Sequence, residues 1–574
     1  MIRVSPPEGV PLPEYPRPQL VRPSWLNLNG TWDYAITDGS SPQVFDGEIL
    51  VPFSPEAPLS GVNRSLGPEE TLWYHRRVCA AHLPTGPPGS RILLHFGAVD
   101  QEAVILVNDV EVVRHLGGYL PFTADITAIA STGDDLDIVV RVTDDTDRTW
   151  RTRGKQKTDR GGIWYTPQSG IWQTVWLETV PAGGVDRLVV TPYLDENGAG
   201  FDVVVESASA TAEIEIVGGP THTVPCNEAS RIEVPDPRLW SPEDPHLYDL
   251  VVTAGEDRVT SYAGLRTVGI GLDDKGTHRL LLNGKPYFHA GVLDQGYWPD
   301  GLYTAPSDAA LAADVIAAKQ LGFTMVRKHI KVEPLRWYYH CDRLGLLVWQ
   351  DMPNGGRAYR MPVVTVPAFL PVRLRDSRYR VFGRQDAEGR REFRAELVEM
   401  IGHLRSITSI VCWVPFNEGW GQFDANGVAE EVRRLDPTRH VDHASGWHDQ
   451  GGGDLQSLHV YFRRFRMPRR RDERPVVLSE YGGYNLRVEG HTWGAKNFGY
   501  RRTTDPVALL ERFTALHREQ IEPAVAEGLC GIVYTQLTDV EDELNGLLTY
   551  DRVDKLDRAA VRAVLEPLTG ARTV

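Results

Sequence analysis

The chain has 574 residues, which at roughly 150 residues per domain predicts three or four domains. Hydrophobic residues make up 41% and charged residues 24%, ordinary values that exclude a disordered chain. The net charge of −16 excludes a general binder of nucleic acid or of anionic membrane surfaces.

The first twenty residues, MIRVSPPEGVPLPEYPRPQL, carry no apolar core of a secretory leader, and no run reaches the roughly 18 apolar residues of a membrane span. A cytoplasmic protein is therefore expected. The five cysteines (Cys79, Cys226, Cys341, Cys412, Cys530) are odd in number and widely spaced, without metal-ligand spacing. They are expected to be buried reduced thiols. Gly (54) and Pro (40) are frequent enough to predict many turns and hence many strands. Up to residue 262 the pattern is short alternating apolar runs, at 91–96 (RILLHF), 103–108 (AVILVN), 136–142 (LDIVVRV) and 174–178 (TVWLE). Runs this short and evenly spaced predict β-sandwiches. Pro181-Ala182-Gly183-Gly184 marks a boundary, beyond which 187–191, 200–206, 212–217 and 246–253 predict a second, smaller sandwich.

From residue 272 the period changes. Strands are expected at 287–292, 324–328, 346–351, 410–416, 440–444, 458–461, 476–480 and 531–536. Helices are expected at 308–321 behind Ser307 and Asp308, at 334–344 with Pro334 in the first turn, and at 507–527 behind Asp505-Pro506. Eight strands with intervening helices predict a (β/α)8 TIM barrel rather than a doubly wound sheet, and no glycine-rich phosphate loop follows any of the strands.

Chemistry in such a barrel sits at the C-terminal ends of the strands. The fourth strand runs into Val414-Pro415-Phe416-Asn417-Glu418, and the seventh into Leu478-Ser479-Glu480-Tyr481. A glutamate entering the mouth of a barrel is desolvated, and a second carboxylate nearby raises its pKa further. Glycoside hydrolysis needs such a pair, one group to protonate the leaving oxygen and one to attack or stabilise the anomeric carbon. The bland alternative, a helix cap or an arginine partner, accounts for one glutamate more readily than for both. Asp294, just past the first strand, is expected to accept bonds from sugar hydroxyls, and Trp298, Trp420, Trp447 and Trp493 lie in expected rim loops.

Asn417-Glu418, Glu480 within LSEYGG, and the sandwich–sandwich–barrel order resemble glycoside hydrolase family 2, which includes β-galactosidases, β-glucuronidases and β-mannosidases. Further fragments fall in the same collinear order: LNLNGTW at 26–32, LWYHRR at 72–77, LVND at 106–109, SGIWQ at 169–173, LWSP at 239–242, LNGKP at 282–286 and CDRLGLLV at 341–348. The resemblance implies a jelly-roll β-sandwich over 1–180, an immunoglobulin-like β-sandwich over 181–271 and a catalytic barrel over 272–574. It implies that Glu418 is the general acid/base and Glu480 the nucleophile of a retaining mechanism, with carboxyl groups about 5–5.5 Å apart. It implies further that Asn417 binds the sugar 2-hydroxyl, that Tyr461 contacts the nucleophile, and that Asp351 is the acidic residue closing the third strand. Arg327 matches the arginine of the family's Arg-x-Ser-His-Tyr-Pro motif, whereas His329 sits one place early. Gln536 stands where many members place a tryptophan, so a more polar pocket floor is expected. The stretch 542–548 (DELNGLL) lacks the Asn-x-Lys element with which glucuronidases grip a carboxylate, and its acids are expected to repel a uronate.

No cofactor is expected. Some large β-galactosidases bind cations near the site, and Asp144 and Asn545 are candidate oxygen ligands without a recognisable ligand spacing. The run 462–474, with seven arginines, is expected to be a solvated loop or subunit contact, alternatively a loop shaping the substrate entrance. The expected activity is retaining, exo-acting hydrolysis of a terminal β-galactose-configured pyranoside or furanoside from small glycosides or oligosaccharides. The alternatives are a β-mannoside, an α-L-arabinofuranoside, or a carbohydrate-binding protein without catalysis. Neither nucleic acid nor membrane is an expected partner, and a homo-oligomer is left open.

Overall fold

The computed structural model describes residues 9–196, 198–370, 372–469 and 472–570. Residues 1–8 of the N-terminal stretch, and Arg470 and Arg471 of the arginine-rich run, lie outside the described residues.

The first unit packs a four-stranded sheet on a six-stranded one. Period-two patterning does this: along Leu136–Thr143, Leu136, Ile138, Val140 and Val142 are buried while the residues between them face outward. They meet Trp32, Tyr74, Phe96, Ile105 and Leu177 in one core. The chain leaves this sandwich at Val175–Val180 and, after the Pro-Ala-Gly-Gly turn, enters a different sheet at Val185–Asp195. The second unit packs a three-stranded sheet on a four-stranded one around Phe201, Val203, Ile214, Leu250 and Val252.

A hairpin, Val268–Leu272 with His278–Leu282, then precedes the barrel. The Asn283-Gly284 turn that follows has φ of 54° and 73°, the left-handed pair that a tight two-residue turn needs. Leu280 and Leu282 pack with Leu347, Trp349, Val411, Val477 and Val533 inside the barrel, so this hairpin plugs one end of it.

The barrel strands are β1 (His289–Asp294), β2 (Met325–Lys328), β3 (Leu347–Asp351), β4 (Ile410–Val414), β5 (His440–Val441), β6 (Gln456–Val460), β7 (Val476–Gly482) and β8 (Leu529–Thr535). They lie in the order β5-β4-β3-β2-β1-β8-β7-β6, with parallel neighbours throughout. Asp454 N donating to Val441 O, 2.8 Å, and Ser445 Oγ beside Ser457 Oγ, 3.4 Å, bring the two ends of that order together. The flanking helices include α1 (Asp308–Gln320), α2 (Leu335–Leu344), α3 (Ala387–Leu404), α4 (Ala425–Leu435), α5 (Pro506–Leu516) and α6 (Arg558–Gly570).

Ser307 caps α1 by accepting from Ala310 N, and Asp505 caps α5 by accepting from Ala508 N. Pro334 stands at the cap of α2, one place before its first turn. The helix expected over 507–527 is broken by a π-helical turn at His517–Ile521, ahead of Pro523. Proline has no N–H for the carbonyl four residues back, and Arg464 Nη2 donates to that carbonyl, Glu519 O, at 3.0 Å. Part of the arginine-rich run is thus tied to the barrel, as is Arg474 through Asp449 at 2.8 Å. Among the cysteines, Cys79 is exposed, contrary to expectation, and the other four are buried. Among the described residues no helix is long and apolar enough to cross a membrane.

Candidate active site

β4 ends at Val414, two residues short of the expected strand, which frees Pro415-Phe416-Asn417-Glu418 to turn into the barrel mouth. Glu418 takes a left-handed φ of 50° and Gly419 one of 72°. A Cβ on Gly419 would stand 2.6 Å from the His448 ring, so glycine is required at that turn. Glu418 N donates to Ser445 O at 3.0 Å, which fixes the turn against the loop after β5.

Arg327, on β2 and fully buried, organises the centre. Its Nε donates to Asp351 Oδ1 (2.9 Å), its Nη1 to Glu480 Oε1 (3.2 Å) and its Nη2 to Asn417 Oδ1 (2.9 Å). One planar guanidinium therefore sets three side chains from three strand ends. The bond to Oδ1 leaves Asn417 Nδ2 buried and without a protein partner among the described residues. Tyr461 OH donates to Glu480 Oε2 at 2.5 Å and lies 2.9 Å from Thr535 Oγ1, so both oxygens of Glu480 are held by donors. His459 stands between the glutamates: its Nδ1 is 2.8 Å from Glu418 Oε1 and 3.5 Å from Glu480 Oε2. One oxygen of each carboxylate and a ring nitrogen of His459 lie within 4.8 Å of one another.

Burial pushes the Glu418 carboxyl up to about 8, against the downward pull of Lys155 and Arg327. Burial likewise lifts Asp351 to about 7 in spite of the Arg327 beside it. His459 is held down at about 3 by burial, with Glu480 pulling up and Arg327 pushing down. Three potential metal ligands meet here, yet their donor set does not fit a cation. A guanidinium and a phenol already occupy both oxygens of Glu480, and Lys155 adds positive charge near Glu418. The arrangement suits proton transfer beside a clamped carboxylate.

A cleft of about 370 Å3 opens over Glu418 and Tyr461. Its barrel walls include Tyr359, Trp420, Trp447 and Tyr500, the last stacked on Tyr461 at 4.0 Å. Its other wall comes from the first sandwich. Between Leu136–Thr143 and Gly170–Ile171 the chain makes an excursion, residues 144–169, that supplies Arg153, Gln156 and Trp164. Arg160 pairs with Glu541 (3.1 Å) and Asp542 (3.2 Å), Tyr165 OH donates to Glu543, and Trp164 packs 5.0 Å from Trp420. Lys155, buried in the same arm, accepts from Tyr165 N at its backbone carbonyl (3.0 Å) and holds its ammonium 5.2 Å over the Trp420 ring, where it has no hydrogen bond or ion pair among the described residues.

The structure thus brings together Glu418, Glu480, Asn417, Tyr461, Arg327 and Asp351. His329 joins them only through Asp351, 2.8 Å from its Nδ1. Trp447 lines the cleft with its indole N–H unpaired among the described residues. Four expectations are corrected. Asp294 accepts from Lys328 Nζ (2.7 Å) and from Gly296 N (2.9 Å), so its two oxygens are used inside the barrel wall. Gln536 is fully buried, bonded to Gln295 and Asn545, and so forms no open pocket floor. Trp493 packs edge-on against Tyr550, and Trp298 lies under the Arg552 guanidinium. Among the acids at 541–543, Glu541 and Asp542 share Arg160 while Glu543 accepts from Tyr165 and Asn545, which removes only part of the charge argument against a uronate. The candidate cation ligands are also engaged: Asp144 accepts from Thr146 N and Ser169 Oγ, and Asn545 bonds Gln536 and Glu543. The sequence reading missed His459, although it lies two residues before Tyr461 and a strand of period two places both on one face. It also missed Lys155, Trp164 and Tyr500, for which only the folded arm and loops give a signal.

The fold and the paired carboxylates define a multi-domain carbohydrate-enzyme architecture, and the sequence profiles agree with it. The profile described as glycosyl hydrolases family 2 matches residues 185–266, and that described as glycosyl hydrolases family 2, TIM barrel domain, matches residues 275–567. The chain belongs to glycoside hydrolase family 2. It is 24% identical over 491 residues to a human β-glucuronidase, covering 72% of this chain and 69% of that one. A relative from Formosa agariphila is 28% identical over 302 residues, covering 49% of this chain and 35% of its own length, so the chain spans about a third of that protein. Among solved structures, a β-D-glucuronidase of Dictyoglomus thermophilum superposes with a TM-score of 0.72 at 18% identity, covering 96% of this chain and 98% of that one. A β-galacturonidase of Eisenbergiella tayi superposes with a TM-score of 0.70 at 17% identity, covering 97% and 98%. These superpositions bear on the fold alone.

Proposed function

We propose that this chain is a retaining, exo-acting glycosidase in which Glu480 is the nucleophile and Glu418 the general acid/base. The observation that carries the reading is the pairing of two unlike carboxyls across His459. Glu418 holds its proton up to about 8, while Glu480 has both oxygens held by the donors of Arg327 and Tyr461. An acid that keeps its proton beside a carboxylate stabilised by donors is the division of labour that double displacement needs. Glu480 attacks the anomeric carbon as the carboxylic proton of Glu418 passes to the leaving oxygen. Glu418, now a carboxylate, takes a proton from the water that attacks the glycosyl ester, and Glu480 departs as a carboxylate. The unpaired Asn417 Nδ2 is a donor for the sugar 2-hydroxyl, a contact that strengthens as charge develops at the anomeric centre.

For the glycone, our reading is a β-galactose-configured pyranoside or furanoside. A second reading, a uronide, is favoured by the Lys155 ammonium, which lies over the Trp420 ring of the cleft wall, acts on Glu418 and has no acceptor among the described residues, so a substrate carboxylate would complement it. The relatives named β-glucuronidase support considering it. Initial rates on p-nitrophenyl glycosides of β-galactopyranose, β-galactofuranose, β-mannose, β-glucuronic acid, β-galacturonic acid and α-L-arabinofuranose test both readings. Preference for a galactose-configured neutral sugar supports the first, and preference for a uronide the second. No turnover across the panel, with sugar binding retained, supports a binding protein and overturns the catalytic reading.

A further inference from the structure

His459 is a buried side chain whose Nδ1 lies within 3.5 Å of both glutamates, and the mechanism assigns it no role. Its Nε2 lies 3.1 Å from Ser445 Oγ and 3.5 Å from Arg327 Nη1. Arginine can only donate, so Nε2 faces a donor and is the unprotonated nitrogen. Nδ1 then carries the hydrogen, 2.8 Å from Glu418 Oε1. The ring cannot turn away. A Cβ on Gly446 would stand 2.4 Å from it, which places the Gly446 backbone against the imidazole, and Trp447 packs 6.2 Å away.

We propose that His459 is a positioning residue for the acid: its Nδ1–H occupies Glu418 Oε1, so that the carboxylic proton of Glu418 sits on Oε2, the oxygen left free for the substrate. In the opposite tautomer Nδ1 would accept, the proton of Glu418 would be drawn to Oε1, and the acid would be loaded on the wrong oxygen. The same N–H stabilises the Glu418 carboxylate formed after proton transfer, and its weaker approach to Glu480 Oε2, 3.5 Å, ties the two halves of the cycle to one neutral ring. The other charged groups that act on Glu418 are Arg327 on β2, Lys155 from the sandwich arm and Glu543 beyond β8, with Glu480 on β7 across the ring. Among these groups and the ring, only His459 is a hydrogen-bond partner of a Glu418 carboxylate oxygen among the described residues.

The proposal rests on Glu418 being the acid/base, and the test keeps the two apart. Glu418→Ala should lose most on phenyl or alkyl glycosides and recover with azide on a dinitrophenyl glycoside. If it does neither, the acid/base reading fails whatever His459 does. With that control in place, His459→Leu should lower kcat/KM by about 100-fold on poor leaving groups and by less than about tenfold on dinitrophenyl glycosides. Its basic limb should move to higher pH, because the carboxylate of Glu418 has lost a donor. His459→Asn, whose amide N–H can reach the Nδ1 position, should recover most of the loss, and His459→Gln, which reaches the Nε2 position, should not. The Asn–Gln pair decides the matter if the Leu variant does not fold. Equal losses on both leaving-group classes, an unmoved basic limb, or Asn no better than Gln would overturn the proposal.

Discussion

At the scale of single residues, catalysis rests on how few donors serve many acceptors. Arg327 holds Asp351, Glu480 and Asn417 at once, so Asn417 arrives at the cleft with its amide N–H already aimed by a bond to its own oxygen. Asn417→Ala is expected to lower kcat/KM by about 100- to 1000-fold on a normal glycoside and to change it little on the 2-deoxy glycoside. Equal losses on both would remove the 2-hydroxyl from its role. In its proposed role as the acid Glu418 acts protonated, and burial raises it to about 8, so kcat/KM is expected to stay high through neutrality and to fall on the alkaline side near that value. A pH profile whose alkaline limb lies at 5 would place the acid elsewhere. The glutamates themselves were legible in the sequence, because Glu418 comes shortly after the apolar strand Ile410–Val414 and Glu480 directly after the apolar run 476–478 and Ser479. His459, Lys155 and the fates of Asp294 and Gln536 were not, since nothing in a linear string says that Lys328 will turn onto Asp294 or that Gln295 will reach Gln536.

At the scale of elements, the barrel strands were legible from apolar runs and the helices from their caps. α3 shows what was available and went unread: Phe393, Leu397, Met400, Ile401 and Leu404 recur at helical spacing and are all buried. The π-helical turn before Pro523 shows the converse, a continuous helical pattern broken by one missing N–H. The excursion at 144–169 was unreadable as part of the site, because its position depends on pairs such as Arg160–Glu541 that join the sandwich to the barrel. Trp164 is its contribution to the cleft wall. Trp164→Ala is expected to raise KM by about tenfold with kcat within about twofold, the signature of lost ground-state contact. Unchanged KM on every substrate would separate the arm from the site.

At the scale of the whole molecule, the three units are joined by buried polar contacts. Arg22 links Glu178 of the first sandwich to Asp257 of the second at 2.6 Å, and Arg266 donates to Thr408 O and Ile410 O of the barrel. Trp240 of the LWSP fragment donates to Asp342 O at 2.7 Å, which gives that sequence landmark its structural meaning. Burial also leaves a titration signature. Glu56 and Glu418 are raised to about 8, and Glu396, Asp351 and Asp539 to about 7. The folded chain therefore binds more protons than the unfolded one above ordinary carboxyl values, and this set loses stability as pH rises toward 8. His95 and His459, held down at about 3, and His403 and His517, at about 4, act oppositely, adding stability with pH up to the unfolded value of 6.5 and nothing beyond it. Above the unfolded histidine value only the carboxyl set still acts, so Tm is expected to fall by a few degrees between pH 6.5 and pH 8 at constant ionic strength. A Tm that rises across that interval would contradict the buried-carboxyl account.

The central claim is that Glu480 forms a covalent glycosyl-enzyme. The most direct measurement is peptide mass mapping after inactivation with the 2-deoxy-2-fluoro glycoside of whichever sugar the enzyme prefers. The adduct is expected on the peptide that contains Glu480, at that residue, with Glu480→Gln unlabelled. An adduct on Glu418, or a turnover product of inverted configuration with no adduct formed, would contradict it.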